Sequence, residues 1–490
     1  MYLLGFDIGS SSVKASLIDA ETGEAIASGS SPKTEMKIEA PQPGWAEQSP
    51  LDWWEHLKNA LNEIKTKSKA DLKVVKAIGI SYQMHGLVCV DKNLEVLRPS
   101  IIWCDSRAVE IGKKALENIG EKKALKHLLN SPGNFTASKL KWVKNNQKDI
   151  YSKIYKFMLP GDYIAMKLSG VPQTTVSGLS EGIFWDFKED KIADLVLDEY
   201  GIDKSLIPSV VDTFSTQAEV SESAAKELGL KAGTKISYRA GDQPNNAFSL
   251  NVLEEGEVAA TAGTSGVVYG ITEEAAYDKK SRVNSFVHVN HTDKDPRYGV
   301  LLCINGTGIL NSWLKNTLFQ GKLDYVKMNE LASSVAPGAD GLSIYPFGNG
   351  AERVLENDEP GATMRGINFN RHGVGHVSRA AQEGITFGLA YGMEVMNHMG
   401  IKTKTVRAGE ANMFLSPIFG EAFCNTTGAV VELYNTDGAQ GAARGAGVGA
   451  GIYKNFKEAF NNFKKLAVIE PDNEKSKIYT ELYENWKENL

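Results

Sequence analysis

The stretch from Leu3 to Leu17, LLGFDIGSSSVKASL, is an apolar run that meets a turn of small residues and leaves it as a second β-prone run. Read alone, it predicts a hairpin. The same arrangement returns from Val258 to Gly270 as VAATAGTSGVVYG. In both turns the small side chains let consecutive backbone N–H groups converge on an anion, which is what cradling a phosphate tail requires. Gly9, Ser10 and Ser11 in the first turn, and Gly263, Thr264 and Ser265 in the second, are therefore candidate binding residues for a nucleotide's phosphates, the hydroxyls adding donors. Asp7 stands at the end of the first run, where a carboxylate can hold Mg2+ through water while the turn holds the phosphates. Lys14 is either a phosphate contact or a solvent-facing strand residue. One short Gly/Ser turn fits an ordinary hairpin equally well, and the repetition is what favours a nucleotide. No G-x-x-x-x-G-K-[ST] occurs, so a P-loop is not expected.

Outward from these turns, β-branched runs alternate with helical stretches, as at Val74 to Ser81 and then Ala108 to Leu129, which is an α/β pattern. The two copies open two halves of comparable length. They predict two similarly built α/β lobes with a ligand in the cleft between them, the division lying near residue 245 (1–245 and 246–490). After Gly451 the spacing of Phe456, Phe460, Phe463 and Leu466 reads as amphipathic helix, so covering helices are expected at the end of the chain. A chain of 490 residues that is 42% hydrophobic and 23% charged can bury a sizeable core. The 60 acidic residues outnumber the 54 basic ones, the formal net charge is -6, and no basic run is long enough to track a phosphate backbone. That disfavours nucleic acid as a partner. No window approaches the ~18 apolar residues of a membrane span. The first nine residues lack a basic region and carry Asp7, so no membrane partner and a cytoplasmic location are expected. A homodimer is compatible with this composition, although the sequence identifies no interface. Cys89, Cys104, Cys303 and Cys424 form no C-x-x-C pair and read as buried thiols.

Two motifs are set aside. Gly445-Ala-Gly-Val-Gly-Ala-Gly451 resembles a dinucleotide fingerprint, but no strand leads directly into it, and its small residues suit close helix packing or close approach to an adenine ring. His372 and His376 are four apart, but the glycines of HGVGH undercut the helix that would aim both rings at one metal.

Taken together, FDIGSSSVK, GTSG, Met84-His85-Gly86, the WCDSR run from Trp103 to Arg107, and Gly241-Asp242-Gln243 resemble the FGGY carbohydrate kinases, the Met-His-Gly element being most like the xylulokinase branch. The resemblance spans about residues 6–450. Phe135 to Asn146, FTASKLKWVKNN, nearly meets one family signature, with Asn134 departing from it. Ala362 to Glu383 approximates a second, with Gln382 at a position normally apolar. The resemblance implies two ribonuclease H-like domains of the actin and hexokinase type with an interdomain cleft, closing over ATP and a sugar. It implies Asp242 as the catalytic base and Asp7 as the carboxylate that organises Mg-ATP. It places Met84, His85, Trp103, Asp105 and Gln243 in the sugar pocket, and Gly409 and Asn412, in AGEANMFL, at the adenosine. Gly44 to Gln48 matches the family's GWAEQ stretch, whose role the sequence does not explain.

Elementary chemistry agrees. Phosphoryl transfer needs a metal, a donor-lined cradle and one carboxylate aimed at the nucleophile, and little covalent work. Asp242 lies in ISYRAGDQPNN, where a β-like run meets a glycine turn, although a plain turn or N-cap aspartate reads the same way. His85 follows a β-prone run and suits a hydrogen bond to a sugar hydroxyl, or a satisfied core position. Trp103 with Asp105 offers a stacking face and a carboxylate, or ordinary core. The expected activity is transfer of the γ-phosphate of ATP to the 5-hydroxyl of D-xylulose, with domain closure excluding water. Gly241-Asp242-Gln243 is closer to the glycerol kinase pattern, so glycerol, ribulose and gluconate are the alternative substrates. A chaperone-type or actin-like ATPase switch is the rival from another class.

Overall fold

Both repeated segments form the hairpins that their sequence predicts. Tyr2–Ile8 pairs antiparallel with Val13–Asp19 across the turn Gly9 to Ser12, and Val258–Ala262 pairs with Gly266–Thr272 across Gly263 to Ser265. The computed structural model describes residues 1–490. It divides into two compact units: Met1–Asn251 with Phe286–Arg297 and Thr436–Phe463, and Val252–Ser285 with Tyr298–Asn435 and Lys464–Leu490. Each unit is thus discontinuous, where the sequence suggested one cut near 245. The chain passes into the second unit after Asn251, and two later segments belong to the first.

The first unit is built on a six-stranded sheet ordered Phe214–Glu219, Lys235–Gly241, Val75–Tyr82, Tyr2–Ile8, Val13–Asp19, Ala25–Ser31. Its three central strands run parallel, with Ile8 beside Tyr82 and Tyr82 beside Gly241 at their carboxyl ends. The first strand has no solvent-facing side, which is why it reads as a continuous apolar run. Leu4, Phe6 and Ile8 pack in one core with Trp53, Leu57, Leu61 and Ile64 of helix Pro50–Ser68. Residues of the opposite parity face helix Gly438–Gly449, which contains most of the glycine-rich stretch 445–451. The fit there is backbone to backbone. A Cβ on Gly5 would lie 1.8 Å from the carbonyl oxygen of Ala439, and one on Gly79 would lie 1.9 Å from that of Ala442. Glycine on the strands and alanine and glycine on the helix are therefore a packing requirement, which bears out the reading of that stretch as close helix packing.

The second unit carries a seven-stranded sheet ordered Asn284–Val287, Tyr298–Ile304, Gly266–Thr272, Val258–Ala262, Thr405–Gly409, Val430–Tyr434, Lys465–Ile469. Helix Val374–His398 is buried along most of its length and supplies Ile385, Leu389, Met393 and Met396 to the core. Gln382, polar where the family signature is apolar, is satisfied there: Ser416 Oγ donates to its Oε1 at 2.6 Å and its Nε2 donates to Asn329 Oδ1 at 3.0 Å.

Three details differ from the sequence reading. The helical stretch 108–129 is two helices, Val109–Ile119 and Glu121–Leu128, broken at Gly120 with φ 89°. The segment after Gly451 holds a short helix, Phe456–Ala459, then strand Lys465–Ile469 and helix Asn473–Glu488, so Leu466 belongs to a sheet edge. There alternation of period two competes with helical spacing, and the free edge of Val430–Tyr434 decides. Cys89 and Cys424 are buried, Cys303 is half-buried and Cys104 is exposed, in a loop described below. No helix is long and apolar enough to cross a membrane.

Candidate active site

In the first unit, Asp7, Met84-His85 and Asp242 all stand at the carboxyl ends of the three adjacent parallel strands. That rim is where open α/β sheets place ligands, because successive loops open outward there. Asp242 is the first residue of helix Asp242–Ser249, directly after Gly241. It is half-buried, and its carboxyl is pushed up to about 7, chiefly by desolvation and then by the negative charge of Asp7. Gln243 hydrogen-bonds this carboxylate through backbone and side chain and pulls in the opposite direction. Asp7 is raised as well, mainly by burial, while Lys14, its partner across the hairpin, and Ser81 lower it. Ser81 Oγ donates to Asp7 Oδ1 at 2.8 Å, and the carboxylate faces Gly438 at the start of helix Gly438–Gly449. Two carboxylates held toward the neutral form by burial, Asp7 also raising Asp242, beside a helix N-terminus, suit a phosphate tail bridged by a divalent cation. No cluster of three acidic, histidine or cysteine ligands exists in the structure, so a cation here would depend on water and phosphate oxygens for most of its shell.

The Met84-His85-Gly86 turn is tightly held. Met84 is buried against Gly241, the residue before Asp242. His85 adopts φ 61°, a left-handed conformation costly for a non-glycine residue. Its Nδ1 lies 2.9 Å from the carbonyl oxygen of Glu181, its N–H donates to Glu181 Oε2 at 3.3 Å, and its ring packs edge-on to Phe135 at 4.7 Å. Glu181 is buried, and desolvation raises its pKa well above the usual range, Asp242 and Asp162 adding to the rise while hydrogen bonds from Tyr82 and the His85 N–H oppose it.

The WCDSR run splits into two roles. Trp103 is 47% exposed and its indole Nε1 donates to Ser10 Oγ at 3.3 Å, which joins the sugar-loop candidate to the first phosphate turn. Asp105 does not offer a free carboxylate beside it. It is completely buried, accepting from Ala46 N at 2.6 Å and from Arg107 N, Nε and Nη2. A buried charge requires such a partner, and the guanidinium satisfies it. Arg107 also donates to Glu47 and lies against two indoles set edge to face, Trp45 at 3.8 Å and Trp142 at 4.8 Å. The GWAEQ stretch thereby acquires a physical role: Trp45 and Glu47 grip Arg107, while Gln48 Nε2 donates to Ser10 O at 2.7 Å. The stretch Phe135 to Asn146 supplies Trp142 to the same cluster. It also supplies Lys139, whose ammonium donates to the carbonyls of His85 and Ile102, each at 2.9 Å. Lys139 and Glu181 were not singled out from sequence; Lys139 sits in a signature stretch but looks like a surface residue of an amphipathic helix.

In the second unit, Gly263 and Gly409 lie at the ends of the parallel strands Val258–Ala262 and Thr405–Gly409. Asn412, at φ 56°, brings its Nδ2 beside Gly263. The loop Asn305 to Gly308 buttresses the turn, Gly308 N donating to Gly263 O at 2.9 Å and Ile309 N to Thr264 O at 3.1 Å. A Cβ on Gly308 would lie 2.3 Å from that Gly263 oxygen. Glu352 accepts from Asn305 N with both oxygens, and burial pushes its carboxyl up to about 7. Gly263, Thr264, Ser265, Gly409 and Asn412 thus gather at one rim, matching the strand-end placement of the first unit. His372 and His376 stand 5.2 Å apart, but each Nδ1 accepts a backbone N–H, which leaves no pair aimed at a metal.

The model for the N-terminal domain of the FGGY family of carbohydrate kinases matches residues 2–249, and the model for the C-terminal domain matches residues 258–451. The chain belongs to the FGGY family of carbohydrate kinases. This FGGY kinase is 30% identical over 491 residues to a xylulose kinase of Staphylococcus epidermidis, covering 98% of this chain and 95% of the relative. Its fold matches the crystal structure of a xylulose kinase from Brucella ovis with TM-score 0.89 at 23% identity, covering 100% of this chain and 99% of the other. The glycerol kinase of Plasmodium falciparum, solved with ADP, matches with TM-score 0.87 at 22% identity, covering 100% and 98%. This FGGY kinase is accordingly a phosphotransferase that phosphorylates a sugar at the expense of ATP, and a chaperone or filament ATPase is set aside.

Proposed function

We propose that this FGGY kinase is a xylulose kinase, transferring the γ-phosphate of ATP to the 5-hydroxyl of D-xylulose. The observation that carries the mechanism is the rim of the first sheet, where one carboxylate poised at about 7 directly follows the strand that pairs with the one leading into the Met84-His85-Gly86 turn. Support for the substrate comes from the 30% identical relative and from that turn.

Asp242 accepts the proton of the sugar hydroxyl as its oxygen attacks the γ-phosphorus in line. The bond from that phosphorus to the bridging oxygen breaks, and ADP leaves with its electron pair. A base near pH 7 is well matched to this task, being ionised at working pH while still able to hold the proton. Met84, His85, Trp103 and Gln243 position the sugar. Asp105 acts through Arg107 on the Trp103 loop. In the first unit Gly9, Ser10 and Ser11 offer donors to phosphate; in the second, Gly263, Thr264 and Ser265 do the same, and Gly409 and Asn412 flank the adenosine. Asp7, with Asp242 close by, would hold Mg2+, which supplies charge neutralisation on the phosphates when bound.

The test is sugar-dependent ADP release on D-xylulose, D-ribulose, glycerol and D-gluconate, run beside Asp242→Asn. Turnover preferring D-xylulose, and reduced at least about 100-fold in the variant, is expected. Preference for another of these acceptors would overturn the substrate. Full activity in the variant would overturn the base.

A further inference from the structure

Lys139 is the feature of the first unit that the proposed chemistry does not use. Its side chain is completely buried, on helix Thr136–Asn146, with no carboxylate at ion-pair distance. Burial pushes its pKa down to about 7, while Asp105 and Cys104 act the other way. Keeping an ammonium in such a place is costly, and stability alone would favour an apolar side chain of the same length.

What the ammonium does is join two loops that are distant in sequence. It donates at 2.9 Å to the carbonyl of His85 and at 2.9 Å to the carbonyl of Ile102, the residue immediately before Trp103. The peptide of His85 is therefore gripped on both sides. Glu181 Oε2 takes its N–H, the Glu181 carbonyl meets its ring, and Lys139 takes its carbonyl oxygen. A left-handed φ of 61° at a non-glycine residue persists only where the surroundings over-determine it, and these contacts do so. Through Ile102, the same nitrogen ties that strained turn to the loop that points Trp103 at Ser10.

We propose that Lys139 is a positioning residue for the sugar, fixing the His85 ring relative to the Trp103 indole by bridging the carbonyls of His85 and Ile102. The inference rests on the reading that His85 and Trp103 contact the sugar. Lys139 Nζ donates to the His85 and Ile102 carbonyls and to neither phosphate turn, so its loss should fall on sugar binding rather than on ATP.

Steady-state kinetics of Lys139→Met, a near-isosteric change that removes both donors, test it. The KM for D-xylulose should rise about tenfold or more while the KM for ATP stays within about twofold, and Lys139→Arg, which keeps donors, should recover most of the loss. If Lys139→Met does not yield folded protein, Lys139→Gln, which retains one donor group, is read in the same way. A sugar KM unchanged in a folded variant, or sugar and ATP KM values shifted together, overturns the inference while leaving the kinase reading intact. Wild-type protein that turns over no sugar brings down the functional reading, and this inference with it.

Discussion

At the scale of single residues, the site works through burial. Asp242 and Asp7 are drawn toward the neutral form by desolvation, and Asp7 also acts on Asp242 as a like charge. As the proposed base, Asp242 has to be ionised to accept the proton, so kcat/KM for the sugar should fall about tenfold per unit as pH drops below about 7, and a pH–rate profile checks this. The same shift acts on stability with a definite sign. The folded chain holds this proton up to about 7 and the unfolded chain releases it near 3.8, so the folded state binds more protons in between. Ionisation of Asp242 therefore weakens the fold as pH rises through that window. Asp242→Asn removes the effect, and its melting temperature should exceed that of the wild type at pH 8 and converge with it at about pH 4. A variant that melts lower at pH 8 would contradict the assignment. Residue chemistry was only partly legible in the sequence. Asp242 and His85 could be named because the motifs that hold them resemble those of the family, their β-prone flanks alone leaving a turn aspartate and a core histidine open, but Asp105 could not be recognised as Arg107's counter-ion, since that pairing depends on Trp45 and Trp142 arriving from elsewhere in the chain.

At the scale of elements, the design is a sheet in which two adjacent central strands each place a glycine under the same helix. Gly5 and Gly79 let helix Gly438–Gly449 settle onto the backbone, and its N-terminus is brought to Asp7 by that contact. Gly79→Val would force the helix outward, costing about 3 kcal/mol or more, measurable as a lower urea midpoint or loss of soluble protein. The hairpins were legible because a period-two apolar pattern flanks small turn residues in each. The strand Lys465–Ile469 was not, because three phenylalanines at helical spacing precede it and its pairing with Val430–Tyr434 has no local signal. The glycine-rich helix had been read for its packing, although nothing in its own residues reveals that the partner surface is at the start of the chain.

At the scale of the whole molecule, each compact unit borrows from distant parts of the sequence. The first unit's sheet is completed within 1–251, but one of its faces is covered by 436–463. A fragment spanning 1–251 should therefore expose that face, aggregate or bind a hydrophobic dye, and regain a cooperative melting transition when a peptide of residues 436–463 is added. A soluble, cooperatively melting fragment without the peptide would show that the helix is dispensable. The arrangement also bears on how the protein is made. During synthesis the amino-terminal strands leave the ribosome first, yet the helix that shields them is translated after most of the second unit's sequence. The nascent chain must hold an unfinished apolar surface through that interval, so maturation of the first unit waits until residues 436–463 have emerged, and this is a natural window for a holdase to act.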